Sequence, residues 1–170
     1  MMKVSSNNPE GCSSSDTVKQ LALKYVAVRM RTKQEVIAYL KKKGCDKTQV
    51  QDAIAFLTEY QYLDDAAYCK AWIHDKLQFH PCGRQKLAVE LSKKISDRQL
   101  VQLSLEEYYS AEQELENAHK AAEQKLNSSI GRKQVTREQL ARFLYSRGYS
   151  GAIIERVMYT IEFSVYTEDI

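Results

Sequence analysis

Two stretches of the chain, 104 residues apart, carry the same pattern. Residues 32–45 read TKQEVIAYLKKKGC, and residues 136–149 read TREQLARFLYSRGY. Each begins with a threonine that is followed three residues later by Glu or Gln, which is the spacing of a helix capping box. Apolar residues then recur at helical spacing, and a glycine follows that can adopt the left-handed conformation of a helix stop. The match predicts the same kind of helix at both places.

Helical spacing continues on both sides of the first stretch. A helix is predicted before it, and its apolar stripe consists of Val18, Leu21, Ala22, Tyr25 and Val26. Another helix is predicted from Asp46, because Asp46 and Gln49 repeat the cap spacing. The inward residues of that helix are expected to be Val50, Ala53, Ile54 and Leu57.

A weaker copy of the pattern lies in the middle of the chain, at an offset of 51 residues from the first. Gly83-Arg84 stands where Thr32-Lys33 stands, and the spacing of the apolar residues is kept. No turn glycine follows Lys94, so this helix must end by another route. The copy predicts a middle group of helices built like the first.

Cap signals predict the remaining helices. Asp64 is expected to start a helix that carries Trp72 in the core. Ser96 is expected to start the next helix, with Leu103 among its core residues. Residues 110–127 are expected to form a long helix rich in Glu, Lys and Gln.

These patterns add up to nine helices in three groups of three. No apolar stretch of period two competes with them, and the chain has only 2 Pro and 6 Gly, too few for an all-β fold. We therefore expect an all-α protein of three tandem three-helix repeats, stacked into an elongated, curved array. The expected divisions are a disordered tail at residues 1–15 and repeats at 16–60, 61–109 and 110–170, the last with a short C-terminal tail.

Composition limits the class of protein. Of the 170 residues, 44% are hydrophobic and 28% are charged, as is usual for a globular protein. We expect no membrane association, because no run of 18 apolar residues exists and no secretory signal stands at the start. The four cysteines, at positions 12, 45, 69 and 82, lack C-x-x-C spacing. We therefore expect reduced thiols and a cytoplasmic location.

The sequence lacks the constellations typical of enzymes. His74, His80 and His119 are isolated, and helix capping accounts for the pair Asp64-Asp65. There is no glycine-rich phosphate loop, no G-x-S-x-G and no Cys/His set at metal-ligand spacing. We expect a protein that is not an enzyme and that has no cofactor and no metal.

The net charge of +3 is concentrated near the front of the chain. Residues 16–60 carry nine Lys or Arg against five acids, whereas the remainder is close to neutral. Such a one-ended positive field favours association with an anionic polymer or an acidic protein surface. A solvated basic face is the alternative explanation.

One basic position recurs at the start of the second helix of each group. A cation there opposes the helix dipole, at a cost of about 0.3–1 kcal/mol when exposed. Beside the free N–H groups of a helix start, a base can help to hold a phosphate or a carboxylate. The alternative is an internal acid that neutralises each base. The candidate contact residues are Lys33, Arg84 and Arg137, followed by Arg31, Lys42 and Arg147.

The order and spacing of the motifs resemble the RecX family over residues 20–162. ALKYVAVRMRTKQEVIAYLKKKGC (22–45) is similar to the opening of that family, and YLDDAAYCKAWIHDKLQFHPCGRQKLAVEL (62–91) is similar to its second unit. RFLYSRGYS (142–150) resembles its closing repeat. The chain departs from the pattern by having threonine at 32 where serine is usual, and by lacking the turn glycine in the middle unit.

The resemblance implies a regulator of the RecA recombinase that is not an enzyme. Such proteins are tandem three-helix repeats that bind the RecA–single-strand DNA filament along its groove. They inhibit the recombinase by blocking filament extension or by promoting disassembly. We expect RecA and the single-strand DNA within the filament as partners, weak binding to free DNA, and a monomer.

Two alternatives stay open. One is a helical repeat protein that binds nucleic acid directly, since three-helix units can place a helix in a groove. The other is a helical adaptor for an unrelated protein.

Overall fold

The computed structural model describes residues 14–128 and 135–161. In these two ranges the chain forms nine α-helices and no strand, which confirms the all-α prediction. The helices are α1 Ser15–Ala27, α2 Lys33–Lys42, α3 Lys47–Glu59, α4 Asp65–Phe79, α5 Arg84–Ser92, α6 Arg98–Tyr108, α7 Ala111–Asn127, α8 Arg137–Ser146 and α9 Gly151–Thr160. None of the helices described is both long enough and apolar enough to cross a bilayer.

Side-chain caps start several helices at the predicted residues. Thr32, Asp46 and Thr136 each accept a hydrogen bond from the backbone N–H three residues later, and each completes a capping box. The Asp64 carboxylate accepts from two N–H groups in the first turn of α4. These bonds satisfy donors that have no partner inside their own helix, which is why cap spacing located the boundaries.

The two predicted turn glycines adopt the left-handed conformation. The backbone φ is 83° at Gly44 and 82° at Gly148, directly after the C-caps of α2 and α8. Helix α5 ends differently, at Ser92, with Lys93 as a C-cap in the right-handed conformation. Helix α5 therefore ends without a left-handed residue, which agrees with the absence of a glycine after Lys94.

Helix α6 begins one residue later than predicted. Asp97, and not Ser96, accepts from the Leu100 amide N–H, and its negative charge also suits the helix dipole. The prediction of Leu103 as a core residue is wrong, since its side chain is 54% exposed. The face turned inward follows i, i+3, i+4 spacing, which excludes that position. Its buried members are Val101, Ser104 and Leu105.

Contacts divide the chain into two compact units, here called unit 1 and unit 2. Unit 1 comprises the described residues up to Cys69 together with Lys94–Ser96. In it, α1 packs against α2 and α3, and α2 packs against α3. The core of unit 1 consists of Val18, Ala22, Val36, Leu40, Cys45, Val50, Ala53, Leu57 and Leu63. Several predicted stripe residues lie at its edge and are only partly buried, namely Leu21, Tyr25, Val26, Ile37 and Ile54.

Unit 2 comprises Lys70–Lys93 and the described residues from Asp97 onward. Helix α7 packs against α8 and α9, α8 packs against α9, and α5 packs against α6. One core of unit 2 consists of Ala118, Ala121, Ala122, Val135, Leu140, Leu144, Tyr149, Ile153, Val157 and Met158. Trp72, predicted for the core, is half-buried, and the neighbouring Ile73 is fully buried.

The expectation of four reduced thiols is wrong at Cys45, which is disulfide-bonded. Cys69 and Cys82 are buried and form no disulfide bond, and Cys12 lies outside the described residues. Motif spacing cannot predict such a bond, because it requires only that two Cα atoms approach to about 4.4–6.8 Å in space. Of the predicted disordered tail, residues 1–13 lie outside the described residues, whereas Ser14 and Ser15 form the N-cap and first residue of α1.

Candidate functional site

The recurrent bases occupy the helix position that the sequence predicted. Lys33, Arg84 and Arg137 are the first residues of α2, α5 and α8. Lys42 is the last residue of α2, and Arg147 is the C-cap of α8. With a rise of 1.5 Å per residue, the two ends of each of these helices lie about 14–15 Å apart. Lys33 and Lys42 therefore do not converge on one point, and neither do Arg137 and Arg147. The backbones of Arg84 and Arg147 do lie close together, because the Gly83 amide N–H donates to the Arg147 carbonyl.

At Lys33 the main chain is bound internally and the side chain is not. The Lys33 amide N–H donates to Asp65 Oδ1 at 2.9 Å. This carboxylate takes the place at the helix start that an external anion would otherwise take. The Lys33 ammonium has no ion-pair partner among the residues that the structure describes, so it remains able to meet a partner.

At Arg84 both the main chain and the side chain are bound internally. The Arg84 amide N–H donates to Glu114 Oε1 at 2.7 Å, and Arg84 Nε lies 3.5 Å from Glu114 Oε2. An Nη2 N–H donates to the Tyr109 carbonyl oxygen. Gly83 offers no side chain to cap α5, so the buried Glu114 carboxylate supplies that cap from α7. The internal acid that the sequence left as an alternative is therefore present at this helix start.

Arg31 belongs to a stack of rings and cations in unit 1. Tyr25 of α1 and Tyr39 of α2 stack with 4.1 Å between ring centroids and 1° between planes. The Arg31 guanidinium carbon lies 4.2 Å from the Tyr25 centroid, and the Lys43 ammonium lies 5.7 Å from that of Tyr39. Cations of this kind are attracted to ring faces. Each ring therefore has one face occupied by the other ring and a cation near it, which leaves little ring surface on which a nucleic-acid base could stack.

The Glu35 carboxylate pairs with two of the cations near the start of α2. Arg29 Nη2 lies 2.8 Å from Glu35 Oε1, Arg31 Nη1 lies 3.8 Å from it, and the Thr32 amide N–H donates to Oε2. Burial alone would raise the pKa of the Glu35 carboxyl, but the Thr32 amide and the Arg29 guanidinium lower it below its usual value. The exposed Lys42 has no ion-pair partner among the described acids.

In unit 2 the start of α5 is joined to the turn between α8 and α9. The Gly83 amide N–H donates to the Arg147 carbonyl at 2.9 Å, and the Gln85 amide N–H donates to the Gly148 carbonyl at 3.2 Å. A Cβ on Gly83 would overlap the Gly148 carbonyl, and one on Gly148 would overlap Lys86. Glycine at both positions is therefore what allows the two backbones to approach so closely.

A polar cleft of about 480 Å³ opens beside this junction. Its lining includes Lys76 and His80 from the α4 end, Lys86 from α5, and Arg147 from α8. Sequence reasoning selected only Arg147 and missed the other three. The one available signal was the position of Lys86, two residues after Arg84 in the middle copy.

The described residues include no cluster of side chains that is suited to bind a metal ion. Across residues 14–128 and 135–161, no three His, Cys, Asp or Glu side chains are grouped so that they could hold a metal ion. Cys82 in the cleft is buried, and burial raises the pKa of its thiol. A thiol with a raised pKa is protonated at neutral pH and is a poor nucleophile and ligand.

Two family models match the chain. The model described as RecX, first three-helix domain, matches residues 19–57. The model described as RecX, third three-helix domain, matches residues 112–158. The two matches fall on the stretches that carry the 104-residue correspondence.

Curated relatives agree with the models. Regulatory protein RecX of Clostridium botulinum (strain Eklund 17B / Type B) is 32% identical over 152 residues, which cover 87% of this chain and 70% of that protein. Regulatory protein RecX of Geobacillus sp. (strain WCH70) is 29% identical over 164 residues, or 92% of this chain. The chain spans 59% of the length of the Geobacillus protein.

Solved structures show the same fold. The crystal structure of RecX from Lactobacillus salivarius superposes with a TM-score of 0.78 at 20% identity, and the match covers 85% of this chain and 94% of that one. A second crystal structure of regulatory protein RecX gives a TM-score of 0.74 at 21% identity. The helical repeat array predicted from the sequence is thereby confirmed, and with the matched domains and the Clostridium relative it leads to one assignment. This chain belongs to the RecX family of regulatory proteins.

Proposed function

We propose that this protein regulates the RecA recombinase without being an enzyme. It binds the RecA–single-strand DNA filament and inhibits it, by blocking filament extension or by promoting disassembly. The observation that carries the proposal is the 32% identity to a regulatory protein RecX of which the chain covers 70%. The proposal includes a cytoplasmic monomer with three repeats of three helices, without cofactor or metal, and with weak affinity for free DNA.

The proposed contact surface consists of basic side chains that the fold leaves available. Lys33 and Lys42 at the ends of α2 and Arg147 at the end of α8 have no described ion-pair partner. They are suited to meet acidic side chains of the filament or phosphates of its DNA. Arg31, Arg84 and Arg137 complete the proposed set. Arg31 and Arg84 would have to exchange internal contacts for external ones, so we give them second place.

A recombinase assay tests this function. The ATPase and strand-exchange activities of RecA filaments are measured with and without the protein. We expect inhibition by the natural chain and about tenfold weaker inhibition by the double variant Lys33→Glu/Lys42→Glu, since two attractive charges become repulsive. Lys120→Glu is the matched control, because Lys120 is exposed and, among the described residues, its ion pair is with Glu116 on its own helix. The proposal fails if the natural chain leaves both activities unchanged.

Direct binding of nucleic acid is the competing function. It predicts tight binding of naked DNA with a steep decrease in affinity as salt is added. A filament regulator instead binds the recombinase filament well and naked DNA weakly. Anisotropy titrations of a labelled oligonucleotide, alone and coated with RecA, separate the two.

A further inference from the structure

We propose that the cleft lined by Lys76, His80, Lys86 and Arg147 in unit 2 is a binding site for one phosphate group of a nucleic-acid backbone. The proposal depends on the proposed function for the source of the phosphate, which is the DNA strand of the filament. The site itself is inferred from the geometry and the charges of the cleft.

Basic side chains from three separate elements line the cleft. Lys76 and His80 come from the end of α4 and the residue after it, Lys86 comes from α5, and Arg147 comes from the C-cap of α8. Charges on one helix can be an ordinary solvated face, but here the fold brings separate segments to one concavity. The volume of about 480 Å³ exceeds what one phosphate group needs, so a nucleotide segment could enter with it.

The positive charge of the cleft is only partly neutralised. Lys76 Nζ lies 2.7 Å from Glu90 Oε2, so these two charges offset each other. Lys86 and Arg147 have no acid partner among the described residues. Burial raises the pKa of the Cys82 thiol, with Glu90 adding to the rise, so Cys82 brings no negative charge at neutral pH. An anion in the cleft would therefore meet at least two uncompensated cations.

The backbone positions from which these two cations extend are fixed before any ligand arrives. Gly83 and Gly148 join α5 to the α8–α9 turn through two hydrogen bonds, and the Lys86 backbone packs against Gly148. The Arg147 guanidinium lies over the Phe143 ring, 4.8 Å from its centroid, which limits its orientations. Preorganised donors lose less conformational entropy on binding. The close contact of Gly83 with Gly148 thus also serves the proposed site, because it fixes the backbone that carries Lys86 and Arg147.

The arrangement suits a phosphate better than a carboxylate. A carboxylate presents two oxygens in one plane, which a single arginine satisfies with a bidentate pair. A phosphate group presents oxygens in several directions and is commonly held by Arg and Lys together. Donors that approach from three elements match the second geometry.

The test uses the full chain and two probes, inorganic phosphate and a labelled single-strand dT20. In ¹H–¹⁵N correlation spectra, we expect phosphate to shift the Lys86 and Gly148 amides saturably. The shifts should vanish in the double variant Lys86→Gln/Arg147→Gln. The same variant should bind dT20 about tenfold more weakly at low salt, and its log–log salt slope should be smaller by about 0.7, the value for one single-strand phosphate.

Control variants separate the site from general charge. Lys93→Gln removes an exposed lysine at the C-cap of α5, outside the lining, and should leave the phosphate shifts unchanged. The single variant Lys86→Gln, at an exposed side chain, guards against misfolding and should lose most of the shift while circular dichroism stays the same.

Three results would overturn the site. They are an equal loss of dT20 affinity in Lys93→Gln, phosphate shifts that persist in the double variant, and shifts caused by poly-glutamate but not by phosphate. RecA inhibition by the natural chain is measured in parallel. Inhibition without phosphate binding would reject this site and leave the proposed function standing. Phosphate binding without inhibition would reject the proposed function and leave the phosphate site standing.

Discussion

Two buried tyrosines of unit 2 differ in one detail, the partner of the hydroxyl group. The Tyr109 hydroxyl donates to the Cys82 carbonyl at 3.1 Å and lies 3.2 Å from the Asn117 amide nitrogen. The Tyr149 hydroxyl has no hydrogen-bond partner among the described residues, although its side chain is fully buried. A buried polar group without a hydrogen bond costs about 1–3 kcal/mol.

We therefore expect opposite results from removing the two hydroxyl groups. Tyr149→Phe should leave the free energy of unfolding unchanged or raise it by up to about 1 kcal/mol, because it removes a desolvated group. Tyr109→Phe should lower it by about 1–2 kcal/mol, because it leaves the Cys82 carbonyl unsatisfied. Urea denaturation followed by circular dichroism measures both. A larger loss in Tyr149→Phe than in Tyr109→Phe would contradict the assignment of hydrogen bonds.

Because of Tyr109 and Tyr149, we also expect the folded chain to lose stability at alkaline pH. Burial raises the pKa of Tyr149 from 10.0 to about 12, and it also raises the pKa of Tyr109. In this range the folded chain binds more protons than the unfolded chain, so the free energy of unfolding decreases as pH rises. The contribution of Tyr149 to the free energy of unfolding is fully present below about pH 10 and is lost as the pH rises towards about 12. Tyr149→Phe should show a shallower decrease in urea midpoints over this range, and an identical decrease would refute the assignment.

At the scale of the helices, acids from later in the chain complete the starts of earlier helices. Asp65, the first residue of α4, accepts from the first amide of α2, and Glu114 of α7 accepts from the first amide of α5. Thr32 still caps α2 in addition, whereas Gly83 leaves α5 to Glu114. Glycine at position 83, where the first copy has threonine, therefore has a structural role of its own. Its lack of a side chain permits the close contact with Gly148.

Substitution of Gly148 should destabilise unit 2 strongly. Gly148→Ala combines a positive φ of 82° with an overlap on Lys86, and we expect a loss of about 2–4 kcal/mol. Gly151→Ala is the matched control, because a Cβ there meets nothing within 4 Å. The control should be neutral or stabilise α9 by up to about 1 kcal/mol. Thermal unfolding measures both, and equal melting temperatures would show that the junction is not tight.

For the whole molecule, the separation of charge matters more than the net value of +3. Residues 16–60 hold nine bases against five acids, but Arg29 and Arg31 are engaged with Glu35. The available bases of unit 1 are therefore fewer than the count suggests. The lysines at the two ends of α2 remain in the proposed surface.

Salt should weaken binding to the recombinase filament. We expect the affinity to decrease steadily between about 50 and 200 mM salt, because contacts between exposed charges are screened and counterions are released. The variant Lys33→Gln/Lys42→Gln should show a smaller salt slope, by about 1–2 if both lysines meet phosphates. Affinities from anisotropy at four salt concentrations provide the test. A slope unchanged by the substitutions would remove these two lysines from the interface.

Local features were predictable from the sequence because they depend on neighbours in the chain. A threonine caps an amide three residues away, and a glycine permits a left-handed turn wherever it lies, so Thr32, Thr136, Gly44 and Gly148 defined two helices correctly. The error at Ser96 and Asp97 was of the same local kind, since adjacent residues could both cap α6.

The sequence by itself determined the helices and most of their caps, since helical periodicity and cap spacing act over a few residues. The order of its motifs also carried the resemblance to the family. Only the tertiary structure decided that Glu114 holds Arg84, that two glycines join α5 to the α8–α9 turn, and that Lys86 and Arg147 share a cleft. Each of these contacts joins residues at least 30 positions apart, a separation that no local pattern encodes. Their free energies depend on distance in space, which only packing of the core fixes.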